Sequence, residues 1–386
     1  MGRLVQEMDS DDRRFGSGYI SGMLSIVLGT VGLGTVLCLM YPQLLTVPEI
    51  HTLYSEQVVG LIRLAVHVVL ITAFLFGVLS ITLRQSKTLG FVGMAIVLAA
   101  AVMGGSRASR HMTGESDMYF GLDFFLLNLI LLGTIFIPIE RLFKKNEQPI
   151  FREDWREDLL YFFISSLFVQ SLTYMSLTPS LQLVKGTQWA TGFREIVASQ
   201  PLILQFFEIM FLTDFVQYWF HRLFHEIPWL WKFHAVHHSA RRMDWIAGSR
   251  MHVFEIVLLR AFTTVPMYFM GYSEPALYAY IFFVYLFSVF VHSNVRFHFG
   301  FLQHILCTPR FHHWHHGIEK ESININYAVH FPILDRLFGT YHMPEGEWPE
   351  GYGIAGHPVP HGYFSQFKYP FRKRVSTKSP ESSNDS

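Results

Sequence analysis

The segment FHHWHHGIEK, residues 311–320, sets four histidines within five positions around a tryptophan. Two further segments share its geometry. HRLFH supplies His221 and His225 at i and i+4, and HAVHH supplies His234, His237 and His238 at i, i+3 and i+4. His312, His315 and His316 repeat that second pattern, with His313 lying between them. Residues three and four apart share one face of a helix, so each cluster aims two or three imidazoles in one direction. A lone histidine near a membrane surface is ordinarily solvated or structural. Three clusters of matching spacing point to metal binding, for which imidazole suits iron, copper, zinc and nickel. Of the 20 histidines, 17 fall within residues 221–361, so the chemistry belongs to the second half of the chain.

The count narrows the site. Eight imidazoles exceed the roughly three protein ligands of one catalytic zinc, and they suffice for two metals with open positions. No HExxH pattern occurs, which removes the main support for a zinc peptidase. The two cysteines, Cys38 and Cys307, are too few for a thiolate site or a disulfide framework. In DFVQYWFHRLFH, Asp214, Tyr218, His221 and His225 lie on one helix face at steps of four, three and four. An acid within an apolar run is costly and marks function. Asp214 is therefore expected to hold an imidazole tautomer by a hydrogen bond, with Tyr218 on the same face. Asn326, Asp244 and Asp335 are weaker candidates for the same supporting role, each equally a turn or cap residue.

The elements that must position these groups are membrane helices. The chain has 386 residues, 51% hydrophobic and 16% charged, whereas soluble domains are about a quarter charged. Uncharged or nearly uncharged runs cover 16–41, 58–82, 89–105, 119–139, 159–178, 202–220, 253–271 and 275–291, and a span takes about 20 residues. Arg63, His67, Asp123, Asp214 and Arg260 interrupt them. The expected fold is all-α, a multi-pass transmembrane helical bundle of about eight spans with a cytosolic histidine-rich cap. The competing reading is a large soluble protein with buried core helices. The first run is too long, and its leader too acidic, for a cleaved signal. A net charge of zero argues against nucleic acid as a partner.

Lysines and arginines in short loops set orientation. Arg84 and Lys87, then Arg141, Lys144, Lys145, Arg152 and Arg156, flank the links after the second and fourth runs, while 43–57 carries none. This pattern puts both termini and the histidine segments in the cytosol. The runs 253–271 and 275–291, split by Gly271 and Pro275, read as a hairpin that returns His292 to the face it left. Pro228 and Trp229 break the helix between the first two clusters. The polar link 144–158 is the expected boundary between an N-terminal membrane region, 1–150, of no assigned role and a catalytic domain, 151–386. The end of that domain, STKSPESSNDS, reads as disordered.

In order, HxxxH, HxxHH, HSN after a hairpin and HxxHH resemble the fatty acid hydroxylase and sterol desaturase superfamily, membrane-bound non-haem diiron enzymes. The surrounding segments WKFHAVHHSARRMDW, GSRMHVFE, FVHSNVRFHFG and NINYAVHFPILDRLFGTYHMP fit as well. The resemblance covers roughly 151–370. It implies that His221, His225, His234, His237, His238, His312, His315 and His316 are iron ligands, with His292 the ninth and His252 a further ligand or supporting donor. His313 fills a slot that other members give to non-ligands. His298, His304, His330 and His342 are expected to be structural.

The implied activity is an oxidoreductase, a monooxygenase-type lipid hydroxylase or desaturase acting in lipid biosynthesis on a sterol or fatty acyl chain. Its cofactor would be two iron ions, with dioxygen as co-substrate. No HPGG segment occurs, so no fused cytochrome b5 domain is expected. Electrons would come from a separate donor, a ferredoxin or a cytochrome b5 with its reductase. The membrane would be the bacterial inner membrane or the endoplasmic reticulum. Oligomeric state is open. The alternatives are a zinc-dependent membrane lipid hydrolase and a non-catalytic metal-binding or transport protein, the last disfavoured by the scarcity of polar residues along the spans.

Overall fold

The computed structural model describes residues 2–10, 13–110 and 119–372; the C-terminal end read above as disordered lies outside them. The fold is helical throughout. An isolated β bridge joins Gly317 and Tyr352. Six helices are long and apolar enough to cross a membrane: α1 (Tyr19–Met40), α2 (Glu56–Leu83), α3 (Thr88–Val102, continued by a turn to Arg107), α4 (Leu122–Leu142), and the pair α9 and α10 below. Between them α5 (Trp155–Leu167) and α6 (Val169–Gly186) meet at a 64° bend and make a seventh if taken as one span. The protein is thus a multi-pass membrane protein with six or seven candidate spans, against about eight expected. The bent pair stands at the expected run 159–178, and the run at 202–220 accounts for the remaining difference. It forms α7 (Leu202–Glu226), in which Gln205, Glu208, Asp214 and Gln217 lower the hydropathy below that of a span.

The chain divides into two compact units, Met1–Arg152 with Phe162–Met175, and Glu153–Tyr161 with Ser176–Ser386. In the first, α1 packs against α2 and α3 through small residues. A Cβ on Gly22 would come 2.6 Å from Ser80 Oγ and 2.7 Å from Leu89 Cβ, so the glycine permits an approach that alanine would block. Val36, Leu70, Ala73, Val97 and Ala100 fill the seam. Facing outward, Leu61, Leu64, Val68, Ile71 and Leu75 of α2 are half or more exposed, an apolar stripe suited to lipid rather than water.

The second unit is built on α7, against which α8 (Pro228–His237), α9 (Val253–Met270) and α10 (Glu274–His292) pack. Pro228 sits at the first turn of α8 and holds Ile227 extended (φ −92°, ψ 115°). The chain therefore turns back between the first two histidine clusters. Gly271, at φ 77°, ends α9 in the left-handed region that glycine adopts without penalty, and α10 returns antiparallel. Helix α11 (Pro309–His315) starts with proline at its first turn, and Thr308 Oγ1 accepts from the Phe311 amide at 3.3 Å. Beyond it, α12 (Ile333–Phe338) and α13 (Tyr363–Lys368) punctuate a long tail. That tail lies against the third cluster: Gly353 N donates to His316 O at 3.2 Å, and Trp314 Nε1 to Glu347 O at 3.2 Å.

Candidate metal centre

Four elements bring nine histidines together in two adjacent groups. His221 and His225 come from the end of α7, and His234, His237 and His238 from the end of α8. His292 is the last residue of α10; His312, His315 and His316 come from α11 and its cap. One ligand nitrogen each from His221, His225, His234, His238 and His315 lie within 4.8 Å of one another, and those of His237, His292, His312 and His316 do likewise. All are buried except His225, which is partly exposed. The groups touch, with the His238 and His316 rings stacked at 4.3 Å.

Hydrogen bonds at the outer nitrogens fix which way the lone pairs point. Nδ1 of His221 donates to Tyr327 O at 2.8 Å, that of His315 to Ile325 O at 2.8 Å, and that of His237 to Arg250 O at 3.1 Å. His292 Nδ1 donates to Ser288 O at 2.6 Å, and His234 Nδ1 to the carboxylate of Glu255 at 2.5 Å. A carbonyl or carboxylate can only accept, so each of these rings carries its proton outside and leaves a bare Nε2 inside. Those bare nitrogens face each other: His221 and His234 Nε2 are 3.0 Å apart, His237 and His292 Nε2 3.3 Å. Two lone pairs so placed repel unless a cation lies between them. Two imidazole nitrogens each about 2.1 Å from one ion, at right angles, would lie about 3 Å apart. His225 Nε2 and His316 Nδ1 are buried and have no partner among the described residues. The donor set therefore fits two metal ions, one per group.

Electrostatics agree. Burial pushes the imidazoles of His234, His237, His238, His312, His315 and His316 well below their ordinary range, and mutual repulsion between them adds to the effect. They are neutral at physiological pH, the form that binds metal.

Several expected roles fall elsewhere. His252 joins neither group; its Nδ1 accepts from the Phe254 amide at 3.1 Å as the cap of α9, and its Nε2 pairs with Phe367 O at 3.1 Å. Its place ahead of a helix makes it a cap. Asp214 touches no imidazole. Its carboxylate accepts the amides of Val329 and Phe331, both at 2.7 Å, and so pins the loop that follows the Ile325 and Tyr327 carbonyls. Tyr218 bonds to Thr340 Oγ1 at 2.8 Å. Asn326, at φ 54°, donates to Phe311 O at 3.1 Å and accepts from the His342 amide at 2.8 Å, bracing α11. Asp335 accepts the amides of Tyr327 and Ala328 at 2.7 and 2.9 Å, and Asp244 those of Ile246 and Ala247. Asp214, Asn326, Asp335 and Asp244 act on backbone groups and Tyr218 on a threonine hydroxyl, none of them on a ring nitrogen of the cluster.

The carboxylate that does orient a clustered imidazole is Glu255, which sequence reasoning passed over. The signal was present, since an acid two residues inside the apolar run 253–271 meets the same criterion that marked Asp214. The carbonyls of Tyr327, Ile325, Arg250 and Ser288 left no trace in residue types. Arg250 is itself fixed by Asp158, to which its Nε donates at 2.5 Å.

Comparison with known proteins agrees with this geometry. Residues 206–340 match the fatty acid hydroxylase family. Ornithine lipid hydroxylase OlsE of Rhizobium tropici is 27% identical over 317 residues, 77% of this chain and 91% of that protein. Human alkylglycerol monooxygenase is 35% identical over 148 residues, 38% of this chain and 32% of the enzyme, so the match spans about a third of its length. A putative methylsterol monooxygenase of Dictyostelium discoideum is 27% identical over 53% of this chain and 75% of its own. No solved structure matches the chain.

Proposed function

We propose that this chain, which matches the fatty acid hydroxylase family over residues 206–340 and is similar to named lipid hydroxylases and monooxygenases, is a membrane-bound diiron monooxygenase hydroxylating a C–H bond of a polar membrane lipid. The observation that carries this reading is the pair of adjacent imidazole groups, five and four, with inward lone pairs. Five neutral nitrogens exceed the tetrahedral shell of zinc and suit a six-coordinate ion. Hydroxylation is favoured over desaturation because the relatives are named as hydroxylases and monooxygenases. A relative matched over 77% of this chain and 91% of its own is named for ornithine lipid, which supports an acylated polar lipid as substrate class.

Iron bound here would activate dioxygen for insertion into a C–H bond, using two electrons from a separate donor such as a ferredoxin or a cytochrome b5. The protein's own part is to hold and shield. His221, His225, His234, His238 and His315 would hold one ion; His237, His292, His312 and His316 the other. Glu255 and the four backbone carbonyls keep the outer nitrogen of five of the nine rings protonated and the inner one free. Burial excludes water from a site where an oxidant would otherwise be quenched. With six spans, the segments before the first and after the last would lie on one side of the membrane, the cytosol by loop charge, and donor and histidines would then share a face.

The test is metal analysis of the purified protein beside lipid mass profiles of cells expressing it or His315→Ala. Two irons and a lipid one oxygen heavier, seen only with the intact histidine, are expected. Zinc with no oxygen-dependent product would instead establish the hydrolase.

A further inference from the structure

Electrons must reach a buried metal pair from outside. One side chain on α8 touches both the surface and the ligands. We propose that Trp231 is the port through which single electrons pass into the five-histidine centre, an inference that rests on the redox-metal reading above.

Three observations converge on it. Of the nine clustered histidines, only His225 is partly exposed, so solvent lies nearest the five-histidine centre at that residue. The Trp231 ring lies against that same histidine, 5.1 Å between centroids, and against His238 and His234 at 5.5 and 6.1 Å. It thus contacts three ligands of one centre while remaining partly exposed. Among the described residues, no phenylalanine, tyrosine or tryptophan ring stands comparably against the four-histidine centre. Tyr327 also lies 5.1 Å from His225, but it is fully buried and reaches no donor directly. Two positions before it in α8, Trp229 is 53% exposed, which offers an attachment point for a donor on the same helix.

A conjugated ring in contact with both ends couples a donor to the metal better than water or an alkyl chain over the same gap. Each passage oxidises a one-electron carrier by one electron and reduces the centre by one. Two passages supply one turnover, and no bond at Trp231 forms or breaks.

The test uses a ruthenium polypyridyl photosensitiser attached to Trp229→Cys in the metal-loaded, full-length protein. Both native cysteines are buried, so labelling is confined to the new thiol. Flash reduction is followed at the metal under anaerobic conditions, with metal content measured alongside. Trp231→Leu is expected to slow metal reduction severalfold at unchanged metal content. Trp231→Phe, which keeps a ring in place, should slow it less, and Trp219→Leu not at all. Unchanged rates in both Trp231 variants overturn the port while leaving the diiron reading intact. A parent protein with no reducible metal overturns both. If the leucine variant loses metal, the phenylalanine variant decides: a rate equal to the parent's overturns the port.

Discussion

Glu255 accepts a hydrogen bond from His234 Nδ1 at 2.5 Å, with both side chains buried. This carboxylate sits at the start of a membrane helix and turns a ring on another helix so that its Nε2 faces His221, 3.0 Å away. Glu255→Leu should lower metal affinity or activity about 10–100-fold, the usual effect of removing a ligand's outer partner. Glu255→Gln keeps an acceptor oxygen and should lose less. Metal titration of the stripped protein checks both, and equal affinity in all three would remove Glu255 from the site.

Gly248 allows His292 its position. A Cβ there would come 2.8 Å from His292 Nδ1 and 3.0 Å from Cγ, tighter than real contacts allow. Gly248→Ala should therefore displace His292 and deplete the four-histidine centre without removing any ligand. His292→Ala should deplete the same centre. His252→Ala, whose ring serves α9 as a cap, should keep both metals and lose about 0.5–2 kcal/mol of stability. Metal-to-protein ratios of the three variants distinguish these outcomes.

Asp214 stabilises the loop at residues 329–331 by accepting two partly buried amides. Asp214→Leu would strand both, at about 1–3 kcal/mol each, whereas Asp214→Asn retains one acceptor oxygen. Thermal unfolding in detergent should rank the proteins wild type, Asn, Leu. A Leu variant as stable as wild type would contradict the assignment.

Acid should destabilise the metal-free protein, and the sign follows from burial. The clustered histidines outside the membrane helices titrate below their ordinary value of 6.5, and His330 is pushed down to about 3. Above about 6.5 the folded and unfolded chains both carry neutral imidazoles, so stability is flat with pH. Below it the unfolded chain takes up protons that the folded chain refuses, and stability falls as pH drops towards the folded values. Unfolding measured after chelation should be level from pH 8 to 7 and decline steadily from about 6.5 downward. With metal bound the decline should start at lower pH, because the ion competes with the proton for the same lone pairs.

The tail and the third cluster form a further testable pair. His313 Nδ1 lies 2.8 Å from Tyr352 Oη, and Ile318 N donates to Gly351 O at 3.1 Å. Ending the chain after His342 would remove these contacts and uncover α11. Metal should then dissociate faster into chelator than from the intact protein; an unchanged rate would show that the tail is dispensable to the site.

The sequence by itself determined which residues meet. Helical spacing groups imidazoles on faces, proline at 228 reverses the chain, and Gly271 with Pro275 closes the hairpin that returns His292. These are local consequences of backbone sterics and periodicity, so nine of the ten expected ligands gather in the structure. Tertiary structure alone decided how they are held. Whether an acid faces a ring or a backbone amide depends on which helix passes beside it, and no spacing rule reports that. Asp214 and Glu255 look alike as acids in apolar runs, yet the first pins residues 329–331 and the second turns His234. His252 shares a residue type with the ligands but heads a helix whose first amides lack partners, so its nitrogen is taken up there. The five-plus-four division is likewise a property of packing, since His237 and His238 are neighbours in the chain and belong to different centres.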